Sequence, residues 1–461
     1  MKTGKNEIAL SIDEIVRALN GTLMSSGEGT EFTGVYTDSR EVMPGGIFFA
    51  LEGENTDGHK FVCGAAARGA SLCIIHKSAP DIEKEIDKGS CTIIMVDDTL
   101  KALQQLAAYY RNKFPQLITV GITGSSGKTT TKELTGKILS GLGATVMTRG
   151  NLNSEIGLPV SMFSIRDHHR YGVFEMGINH EGEMDVLVNI LHPQLAVVTN
   201  IGTAHIGILG SQDNIAAEKG KIFSRNPDLQ MGFVFENDGY RDYLKELAGG
   251  KMTFYGADSM VTDLRLDGIS GSSFRLGDTD IRLPLVGRYN VNNAMAAIAV
   301  GQYLKADEKQ IKAALESAGT MFGRGEIYDL NGIRVLCDCY NANFEAVKAV
   351  ISFAGEVCGN DRLVLALGSL LELGDSSDMI HRNIGSLVKE SGAAGVFLFG
   401  KEMRAAYDVL KDNASGKVFW SDDYKKLECS FLEFVRPGDF AVIKGSRGMA
   451  MERLVEGLKN A

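Results

Sequence analysis

A glycine-rich segment that ends in a lysine and two threonines carries the strongest chemical signal in this chain. It reads GITGSSGKTT over residues 121–130 and lies between an apolar run and a helical pattern. Backbone N–H groups at a helix N-terminus point at a bound anion, and glycine lets them approach it closely. Lys128 would neutralise the phosphates of a nucleotide, and the Thr129 hydroxyl would bind Mg²⁺. The segment therefore predicts a phosphate-binding loop.

The spacing of this loop is that of the shorter form TGxxGKT. The longer form GxxxxGK[ST] needs a glycine where this chain has Ile122. A chance turn of glycine and serine before a helix is the alternative, and the Gly-Lys-Thr sequence between a strand and a helix argues against it. The candidate ATP-binding residues of the loop are Thr123, Gly124, Ser125, Ser126, Gly127, Lys128, Thr129 and Thr130.

A carboxylate and an imidazole follow two later strand patterns. Glu175 ends the run 173–175, and His205 follows Asn200 beyond the run 195–199. Because the ends of neighbouring strands meet near the phosphate loop, the two side chains suit a metal ion that bridges nucleotide and substrate. A single histidine in a glycine-rich loop is more often structural, so it is the shared location that favours the metal site.

Charged residues at two further places allow two interpretations each, and a third charged residue lies on a helix. Asp338 ends a strand, where a carboxylate suits the hydroxyl groups of a ribose or caps the following helix. The segment from Lys444 to Arg447 ends the last strand and opens a helix, so it predicts either an anion site or an exposed basic loop. Lys219 lies in a helical pattern, where a lone lysine is usually a solvated charge. The pattern alone leaves these alternatives open.

Strands and helices alternate through the middle of the chain, where they must hold these residues. A strand over 117–122 precedes the loop, and a helix over 128–142 follows it. Further strand patterns alternate with helices at 173–175, 195–199 and 233–235. This alternation predicts a mostly parallel sheet that is covered on both faces. Residues 252–286 contain short strands and Asp-Gly or Gly-Asp turns, which predict a small antiparallel insert.

The two ends of the chain predict one domain each. Strand patterns followed by helices occur at 333–337, 363–367, 396–399, 418–420 and 440–443, which is typical of a Rossmann-like doubly wound domain. Short strands and helices mix up to Phe114-Pro115, where the residue before proline leaves helical geometry. We therefore expect an α/β protein of three domains: 1–115, 116–324 and 325–461.

Length and composition agree with this division and exclude several classes of protein. The 461 residues suffice for two to four domains of about 100–200 residues each. A formal charge of −10 argues against a broad nucleic-acid surface. Seven cysteines without a CxxC motif argue against a disulfide framework and a structural zinc site. We find no run of about 18 apolar residues and no signal-peptide core, so we expect a cytoplasmic protein without membrane insertion.

Together and in this order, the motifs resemble those of the Mur ligase family of ATP-dependent peptidoglycan precursor synthetases, over essentially the whole chain. The segments that look like the family's N-terminal domain, which binds the UDP-sugar, are TDSR at 37–40, PG at 44–45 and DGH at 57–59. Residues 123–129 match the family's ATP loop. Residues 148–157 look like its substrate loop, with Ser154 in place of an asparagine.

This resemblance assigns roles to the candidate residues. Glu175 and His205 fall where the family binds its second Mg²⁺, and Lys219 matches a lysine that many members carry as a carbamate. The implied cofactors are therefore ATP and two Mg²⁺ ions. The implied metal ligands are Thr129, Glu175, His205 and Lys219, and the implied catalytic residues are Lys128, Glu175, His205 and Lys219. The further nucleotide-binding residues are Asn293, Arg324 and Asp338. The implied substrate-binding residues are Ser39, Arg40, Asn151, Asn153, Ser154, Asn341, Asn343 and Lys444.

The last third of the chain is similar to the family members that add D-alanyl-D-alanine. The similarity lies in Tyr-Asn-Ala-Asn at 340–343 and Leu-Glu-Leu-Gly at 371–374, with His381. The sequence departs from the family pattern at Cys337, Phe344 and 369–370. The resemblance implies ATP-dependent ligation of D-alanyl-D-alanine to UDP-N-acetylmuramoyl-tripeptide through an acyl phosphate, by a monomer that binds no nucleic acid. His381 is a candidate base for the incoming amine only because histidine ionises near pH 7.

Two other functions share part of this pattern. A folylpolyglutamate synthetase would have the ATP loop and the metal residues but would lack the domain that carries residues 38–40. A GTPase-type switch protein would need an Asn/Thr-Lys-x-Asp motif after a strand, and we find none. Because the ATP loop and Asp338 fall in different domains, we also expect the domains to close around ligands at a hinge near 323–325.

Overall fold

Three α/β domains follow one another along the chain, each built on its own sheet, and a small antiparallel sheet is inserted in the second. The computed structural model describes residues 8–460 except 28, 30, 54, 55, 321, 360 and 413–415. The predicted fold class is therefore confirmed. None of the helices in these ranges combines the length and the apolar character that crossing a membrane requires.

The N-terminal domain is built on a mostly parallel sheet whose central strands β3 and β4 are buried. Its strands are β1 (Thr22–Ser25), β2 (Gly34–Tyr36), β3 (Gly46–Phe49), β4 (Ala70–Ile75) and β5 (Thr92–Met95), and its helices are α1 (Ile12–Leu19), α2 (Val62–Ala67), α3 (Pro80–Lys88) and α4 (Thr99–Asn112). The sheet order is β1-β5-β4-β3-β2, and only β1 runs antiparallel to its neighbour. Side chains of β3 alternate, so that Ile47 and Phe49 pack on one face and Phe48 on the other.

The central domain is a parallel six-stranded sheet with helices on both faces. Its strands are β6 (Ile118–Thr123), β7 (Thr145–Met147), β8 (Tyr171–Glu175), β9 (Leu195–Val198), β10 (Met231–Phe235) and β11 (Met252–Tyr255). Its helices are α5 (Lys128–Ser140), α6 (Gly157–Met162), α7 (Glu183–Leu191), α8 (Ile206–Leu209), α9 (Gln212–Ser224), α10 (Arg241–Leu247), α11 (Ala257–Met260), α12 (Arg288–Tyr303) and α13 (Glu308–Glu316).

The order of the central sheet, β11-β10-β9-β6-β8-β7, puts β6 between β9 and β8. From β6 the chain goes on to β7 and β8 on one side of β6, and then to β9, β10 and β11 on the other side. In open α/β sheets, ligands bind in the crevice at this kind of switch point, beyond the carboxyl ends of the strands. The predicted phosphate loop follows β6 directly, so the topology places it at the crevice.

The antiparallel insert is smaller than the sequence predicted. It consists of β12 (Thr262–Leu266), β13 (Ser272–Leu276) and β14 (Thr279–Leu283), in that order. Residues 252–255, which we expected in the insert, form β11 and pair in parallel with β10. That part of the prediction was wrong because a four-residue strand has too short a pattern to show whether its partner is parallel or antiparallel.

The C-terminal domain is doubly wound, with one antiparallel edge strand. Its strands are β15 (Glu326–Leu330), β16 (Ile333–Cys337), β17 (Arg362–Gly368), β18 (Gly395–Phe399), β19 (Lys417–Ser421) and β20 (Asp439–Lys444). Its helices are α14 (Phe344–Val357), α15 (Ser377–Glu390), α16 (Arg404–Leu410), α17 (Tyr424–Leu432) and α18 (Arg453–Asn460). The sheet order is β15-β16-β20-β17-β18-β19.

All five strands predicted for this domain are present, and β15 is an additional one. It forms a hairpin with β16 through Asn331 and Gly332, whose φ angles of 55° and 77° are both positive. Asn-Gly with two positive φ angles is the usual two-residue hairpin turn. The Asn-Gly pair between two alternating runs is therefore the signal in the sequence that predicts this strand.

Candidate active site

A cavity of about 530 Å³ lies between the central and the C-terminal domains. Its central wall is the phosphate loop with the segments that follow β8 and β9, and its C-terminal wall is formed by segments that follow β16, β17 and β20. The predicted site residues that line it are Ser125, Ser126, Gly127, Lys128, Thr129, Thr130, Asn151, Asn153, Glu175, His205, Asn293, Arg324, Asp338, Asn341, Asn343 and Lys444. Residues from two domains thus face one cavity.

Glycine is required at two positions of the phosphate loop. Gly124 and Gly127 have φ angles of 145° and 78°, in the region that side chains disfavour. A Cβ on Gly124 would collide with the Thr199 hydroxyl, and one on Gly127 would collide with the Asn293 amide. The loop backbone can therefore approach a phosphate closely, with the N-terminus of α5 directly behind it.

Lys128 is the first residue of α5 and curls back over the loop. Its ammonium donates a hydrogen bond to the Gly124 carbonyl oxygen at 2.8 Å. Burial lowers the pKa of Lys128, and the neighbouring Glu175 carboxylate opposes this shift. A bound phosphate would supply the anionic partner that this half-buried cation has only at a distance.

Glu175, at the end of β8, is a buried carboxylate held by two side chains. Its Oε2 accepts a hydrogen bond from the Thr129 hydroxyl at 2.8 Å, and its Oε1 accepts one from the Asn153 amide at 2.6 Å. Mg²⁺ in nucleotide sites is commonly bound by one or two carboxylate or hydroxyl oxygens together with phosphate oxygens. The paired oxygens of Glu175 and Thr129 fit that donor set. Among the described residues, no group of three or more His, Cys, Asp or Glu side chains forms a metal-binding cluster by itself.

The segment 199–205 after β9, which we call the switch loop, is tied to the phosphate loop. The Thr199 hydroxyl donates to the Ser126 carbonyl oxygen. The Asn200 side chain accepts a hydrogen bond from the Ser126 N–H and donates one to the Ser126 hydroxyl. The Gly202 N–H donates to the Ser125 hydroxyl at 2.8 Å. The two loops therefore form one hydrogen-bonded unit.

His205 ends the switch loop in a left-handed conformation, with a φ of 64°. Its Nδ1 lies 2.6 Å from a carboxylate oxygen of Glu372 in the C-terminal domain. Since a carboxylate only accepts, Nδ1 carries the proton of this bond. Burial, with the nearby Lys219 and Lys128, lowers the pKa of His205, while Glu372 opposes that shift. The ring is then neutral at pH 7 with a lone pair on Nε2, which is the form that binds metals.

Lys219, on α9, is buried with only 1% of its surface exposed. Its amine makes no hydrogen bond or ion pair with any residue in the described ranges. Burial, together with the Lys128 ammonium, lowers the pKa of Lys219 well below the usual value for lysine. The interpretation of Lys219 as a solvated charge was therefore wrong. It lies behind the residues that line the cavity.

Asp338 and Lys444 form an ion pair at the ends of β16 and β20. The Lys444 ammonium is buried and lies 2.6 Å from the Asp338 carboxylate. Its other donors bond the carbonyl oxygens of Asp338 and Asn341. The cap of α14 is Asn343, so the alternative of Asp338 as a helix cap was wrong. The expected helix after β20 is a short turn from Arg447 to Met449, and α18 begins later.

Two further candidates, Arg324 and Asn293, line the cavity between the domains. The Arg324 guanidinium lies 4.2 Å from the ring centre of Tyr340. Asn293 accepts a hydrogen bond from Thr131 and donates one to Asn290, so its side chain is fixed behind the phosphate loop. A flat cation stacked on an aromatic ring and a fixed amide are groups that can bind a base or a phosphate.

Besides Glu372, two C-terminal residues contact the phosphate-loop unit directly, and one of these two was not predicted. The Asn343 amide donates to the Ser125 carbonyl oxygen at 3.3 Å. Glu345 accepts hydrogen bonds from the Thr203 N–H at 3.1 Å and from its hydroxyl at 3.0 Å. No pattern in the sequence points to Glu345, because an acidic residue in the first turn of a helix is common on electrostatic grounds alone.

Some predicted residues lie away from the cavity. Arg40 is exposed in the N-terminal domain and pairs with Asp38, and Ser39 lies beside it. The Ser154 hydroxyl accepts from the backbone of 156–157. Thr123 is buried at the end of β6 below the phosphate loop.

His381 is fully buried on α15 and has no access to the cavity. Its Nε2 accepts a hydrogen bond from the Leu370 N–H, and its Nδ1 donates one to the Ser377 carbonyl oxygen. Burial also lowers the pKa of His381. The hypothesis that it deprotonates the incoming amine was therefore wrong, since neither nitrogen can reach a substrate.

Comparison with known proteins gives one consistent result. Family models match this chain at 31–111 (Mur ligase family, catalytic domain), 122–301 (Mur ligase middle domain) and 323–447 (Mur ligase, glutamate ligase domain). The UDP-N-acetylmuramoyl-tripeptide–D-alanyl-D-alanine ligase of Treponema pallidum is 38% identical over 96% of this chain and 98% of its own.

Solved structures agree over the whole length. A crystal structure of MurF from Acinetobacter baumannii is 31% identical and superposes with a TM-score of 0.88, covering 98% of this chain and 99% of its own. MurF from Thermotoga maritima, in complex with ADP, is 26% identical with a TM-score of 0.77, covering 93% and 97%. The folylpolyglutamate synthase of Mycobacterium tuberculosis shares only the fold, at 17% identity and 78% of this chain.

Proposed function

The chain belongs to the Mur ligase family, and on this basis we propose that it joins D-alanyl-D-alanine to UDP-N-acetylmuramoyl-tripeptide, with conversion of ATP to ADP and phosphate, in peptidoglycan precursor synthesis. The observation that carries this proposal is the single cavity lined by both the phosphate loop and the Tyr-Asn-Ala-Asn and Leu-Glu-Leu-Gly segments. An identity of 38% over 96% of the chain to an enzyme that bears this name supports the choice of substrates.

The reaction we propose has two steps. The terminal carboxylate of the tripeptide attacks the γ-phosphorus of ATP, so that ADP leaves and an acyl phosphate forms. The amine of D-alanyl-D-alanine then attacks the acyl carbon, and phosphate leaves from a tetrahedral intermediate. In both steps negative charge develops on phosphate oxygens, which Lys128 and the N–H groups at the start of α5 are placed to stabilise.

We propose that Mg²⁺ is held at two places on the central wall. Thr129 and Glu175 would hold one ion, and Glu175, His205 and a modified Lys219 would support a second. Bound there, Mg²⁺ would neutralise phosphate charge during transfer. The chain's own contribution is to fix these donors, as Asn153 does for Glu175 and Glu372 does for His205.

Lys219 has the properties of a lysine that carbon dioxide converts to a carbamate. Its amine is buried, unpaired among the described residues and shifted toward the neutral form, which is the nucleophile in this reaction. The nitrogen would bond to the carbon of carbon dioxide with loss of one proton. The resulting anion would lie near the Lys128 cation, which now lowers the pKa of Lys219.

For the remaining predictions we propose the following. Ser39 and Arg40 contribute to binding of the UDP group in the N-terminal domain, and Asn151, Asn153, Asn341, Asn343 and Lys444 contribute to binding of the peptide. The domain boundaries are 1–115, 116–324 and 325–461. We further propose that the enzyme is a monomer and acts in the cytoplasm.

Phosphate release from ATP tests the function. With UDP-N-acetylmuramoyl-tripeptide present, release should require D-alanyl-D-alanine, and the pentapeptide product should appear in equal amount. Lys128→Ala should lower the rate by 10² or more, about 3 kcal/mol, because the cation that balances the transferred phosphate is lost. Turnover with a folate and glutamate, but not with these substrates, would contradict the proposal.

A further inference from the structure

The switch loop is fixed from the central domain along most of its length. Besides its bonds to Ser125 and Ser126, its Ile201 N–H donates to the buried Asp238 carboxylate at 2.8 Å, and the Ile201 carbonyl oxygen accepts from Gln212. These contacts stop at Gly202. The donors of the next residue, Thr203, are directed out of the central domain.

Both donors of Thr203 are taken by one carboxylate of the C-terminal domain. Glu345, in the first turn of α14, places one oxygen on the Thr203 N–H and the other on its hydroxyl. The fit is close, since a Cβ on Gly202 would lie 2.9 Å from the Glu345 carboxylate. Two residues earlier, Asn343 donates to the Ser125 carbonyl oxygen in the phosphate loop.

These contacts form a closed path between the domains. It runs from Glu345 to Thr203, from the adjacent Gly202 to the Ser125 hydroxyl, and from the Ser125 carbonyl back to Asn343. Ser125 also donates its own N–H to the Asn200 carbonyl oxygen. The N–H, hydroxyl and carbonyl groups of Ser125 are therefore all hydrogen-bonded. The contacts of this path that come from the C-terminal domain are those of Asn343 and Glu345.

We propose that Glu345 is a positioning residue for nucleotide binding. By holding Thr203, it fixes the switch loop against Ser125 and so sets the phosphate loop in the conformation that receives ATP. Docking of the C-terminal domain thereby completes a site whose phosphate-binding groups all belong to the central domain. This inference rests on the proposed function for the identity of the nucleotide.

A purely local role for Glu345 would give different behaviour. An acidic residue in the first turn of a helix stabilises that helix through its dipole, and the effect is confined to folding stability. A residue that positions the phosphate loop across the domain interface also changes nucleotide affinity, and it does so through Thr203. The interaction between positions 345 and 203 is therefore the quantity to measure.

The experiment is calorimetric titration of the full chain with a non-hydrolysable ATP analogue and Mg²⁺. Glu345→Ala should weaken binding about tenfold, in keeping with the loss of charge-assisted hydrogen bonds. Glu345→Gln should stay within about threefold of the wild type, because an amide can accept from the Thr203 N–H and donate to its hydroxyl. The matched control is Glu356→Ala, an exposed glutamate on the same helix, which should bind as the wild type does.

Thr203→Val completes a double-mutant cycle and does not depend on the folding of the glutamate variants. It should weaken binding about threefold, and the double variant Glu345→Ala/Thr203→Val should be no weaker than Glu345→Ala alone. Additive losses, or a Gln variant as weak as the Ala variant, would overturn the inference. Absence of binding in the wild type would instead count against the proposed function.

Discussion

Two buried ionisable side chains of this protein have roles that their residue types alone do not predict. Lys219 and His381 are both almost fully enclosed, yet they differ in their partners. His381 has both ring nitrogens bonded to the backbone, whereas the Lys219 amine has no partner among the described residues. A buried polar group whose hydrogen bonds are all made stabilises the fold. A buried group without a hydrogen-bond partner near a phosphate loop can take part in the reaction.

Lys219→Ala should lose most ligase activity and regain part of it with added acetate. A small carboxylate can enter the space left by the side chain and supply the anionic oxygens that we propose for the carbamate. The measurement is initial rate against acetate concentration, with chloride at equal ionic strength for comparison. Mass spectrometry of the intact wild type under added carbon dioxide should show the adduct.

The control for this variant is Lys245→Ala, at an exposed position on α10. Lys221 is unsuitable as a control although it lies on the same helix as Lys219. Its ammonium pairs with Asp185 and with the buried Glu218, so its removal would disturb the fold. If Lys219→Ala and Lys245→Ala are equally active without acetate, the proposed role of Lys219 is refuted.

At the scale of elements, the segment after β17 shows how a helix supports a loop of the cavity. The Leu370 N–H donates a hydrogen bond to the ring of His381 on α15. The Leu371 N–H donates one to the Ser446 hydroxyl, which follows β20. Glu372, the next residue, has a φ of 63° and contacts His205. Helix α15 and the segment after β20 thus fix a strained segment that reaches across to the central domain.

His381→Leu should lower the free energy of unfolding by about 1–3 kcal/mol, because the buried Leu370 N–H loses its acceptor. Urea unfolding measures this, and the exposed His168→Leu should change it by less than about 0.5 kcal/mol. The pKa of His381 is lowered by burial, so the unfolded state takes up a proton below about pH 6.5 and the wild type loses that stability as the pH falls. The difference between wild type and His381→Leu should therefore narrow in acid.

The variant His381→Leu also distinguishes a structural role of His381 from a catalytic one. In His381→Leu the pH dependence of kcat/KM should keep its shape, because the side chain touches no substrate. Loss of the acidic limb of that profile would show that His381 acts as a base after all.

How far the sequence could predict this molecule depended on how local each feature is. The phosphate loop and Glu175 lie at strand ends that the pattern identified, so their position beside each other followed from a parallel sheet. The hydrogen bond of Glu345 joins residues 142 apart, and that of Glu372 joins residues 167 apart. Such contacts depend on how two domains dock, which no periodicity in either segment records.

For the whole molecule, the central and C-terminal domains meet through both polar and apolar contacts. The polar ones described above are the bonds of Asn343, Glu345 and Glu372 to the central domain. The apolar ones join Ile206, Ile269 and Val286 to the core of the C-terminal domain. The segment that joins α13 to β15 contains Gly323 and Gly325, whose φ angles are 66° and 75°. Interfaces between the domains of one chain commonly permit relative motion unless they are large and mainly apolar.

The radius of gyration should fall when a non-hydrolysable ATP analogue and UDP-N-acetylmuramoyl-tripeptide are added together. Ligands that contact both walls of the cavity favour the docked arrangement over open ones. Small-angle scattering measures this, and the analogue alone should produce a smaller change than both ligands. A radius that is unchanged with both ligands would contradict domain closure.

The hydrogen bond from Asn343 to Ser125 spans 218 positions of the chain, and this span has a consequence for biosynthesis. A ribosome makes the chain from its N-terminus, and domains generally fold in the order in which they emerge. The central domain therefore folds while Asn343 and Glu345 have yet to be made. An unfinished chain has a phosphate loop that lacks the contacts of Asn343 and Glu345. Nascent and prematurely terminated copies would therefore consume little of the cell's ATP.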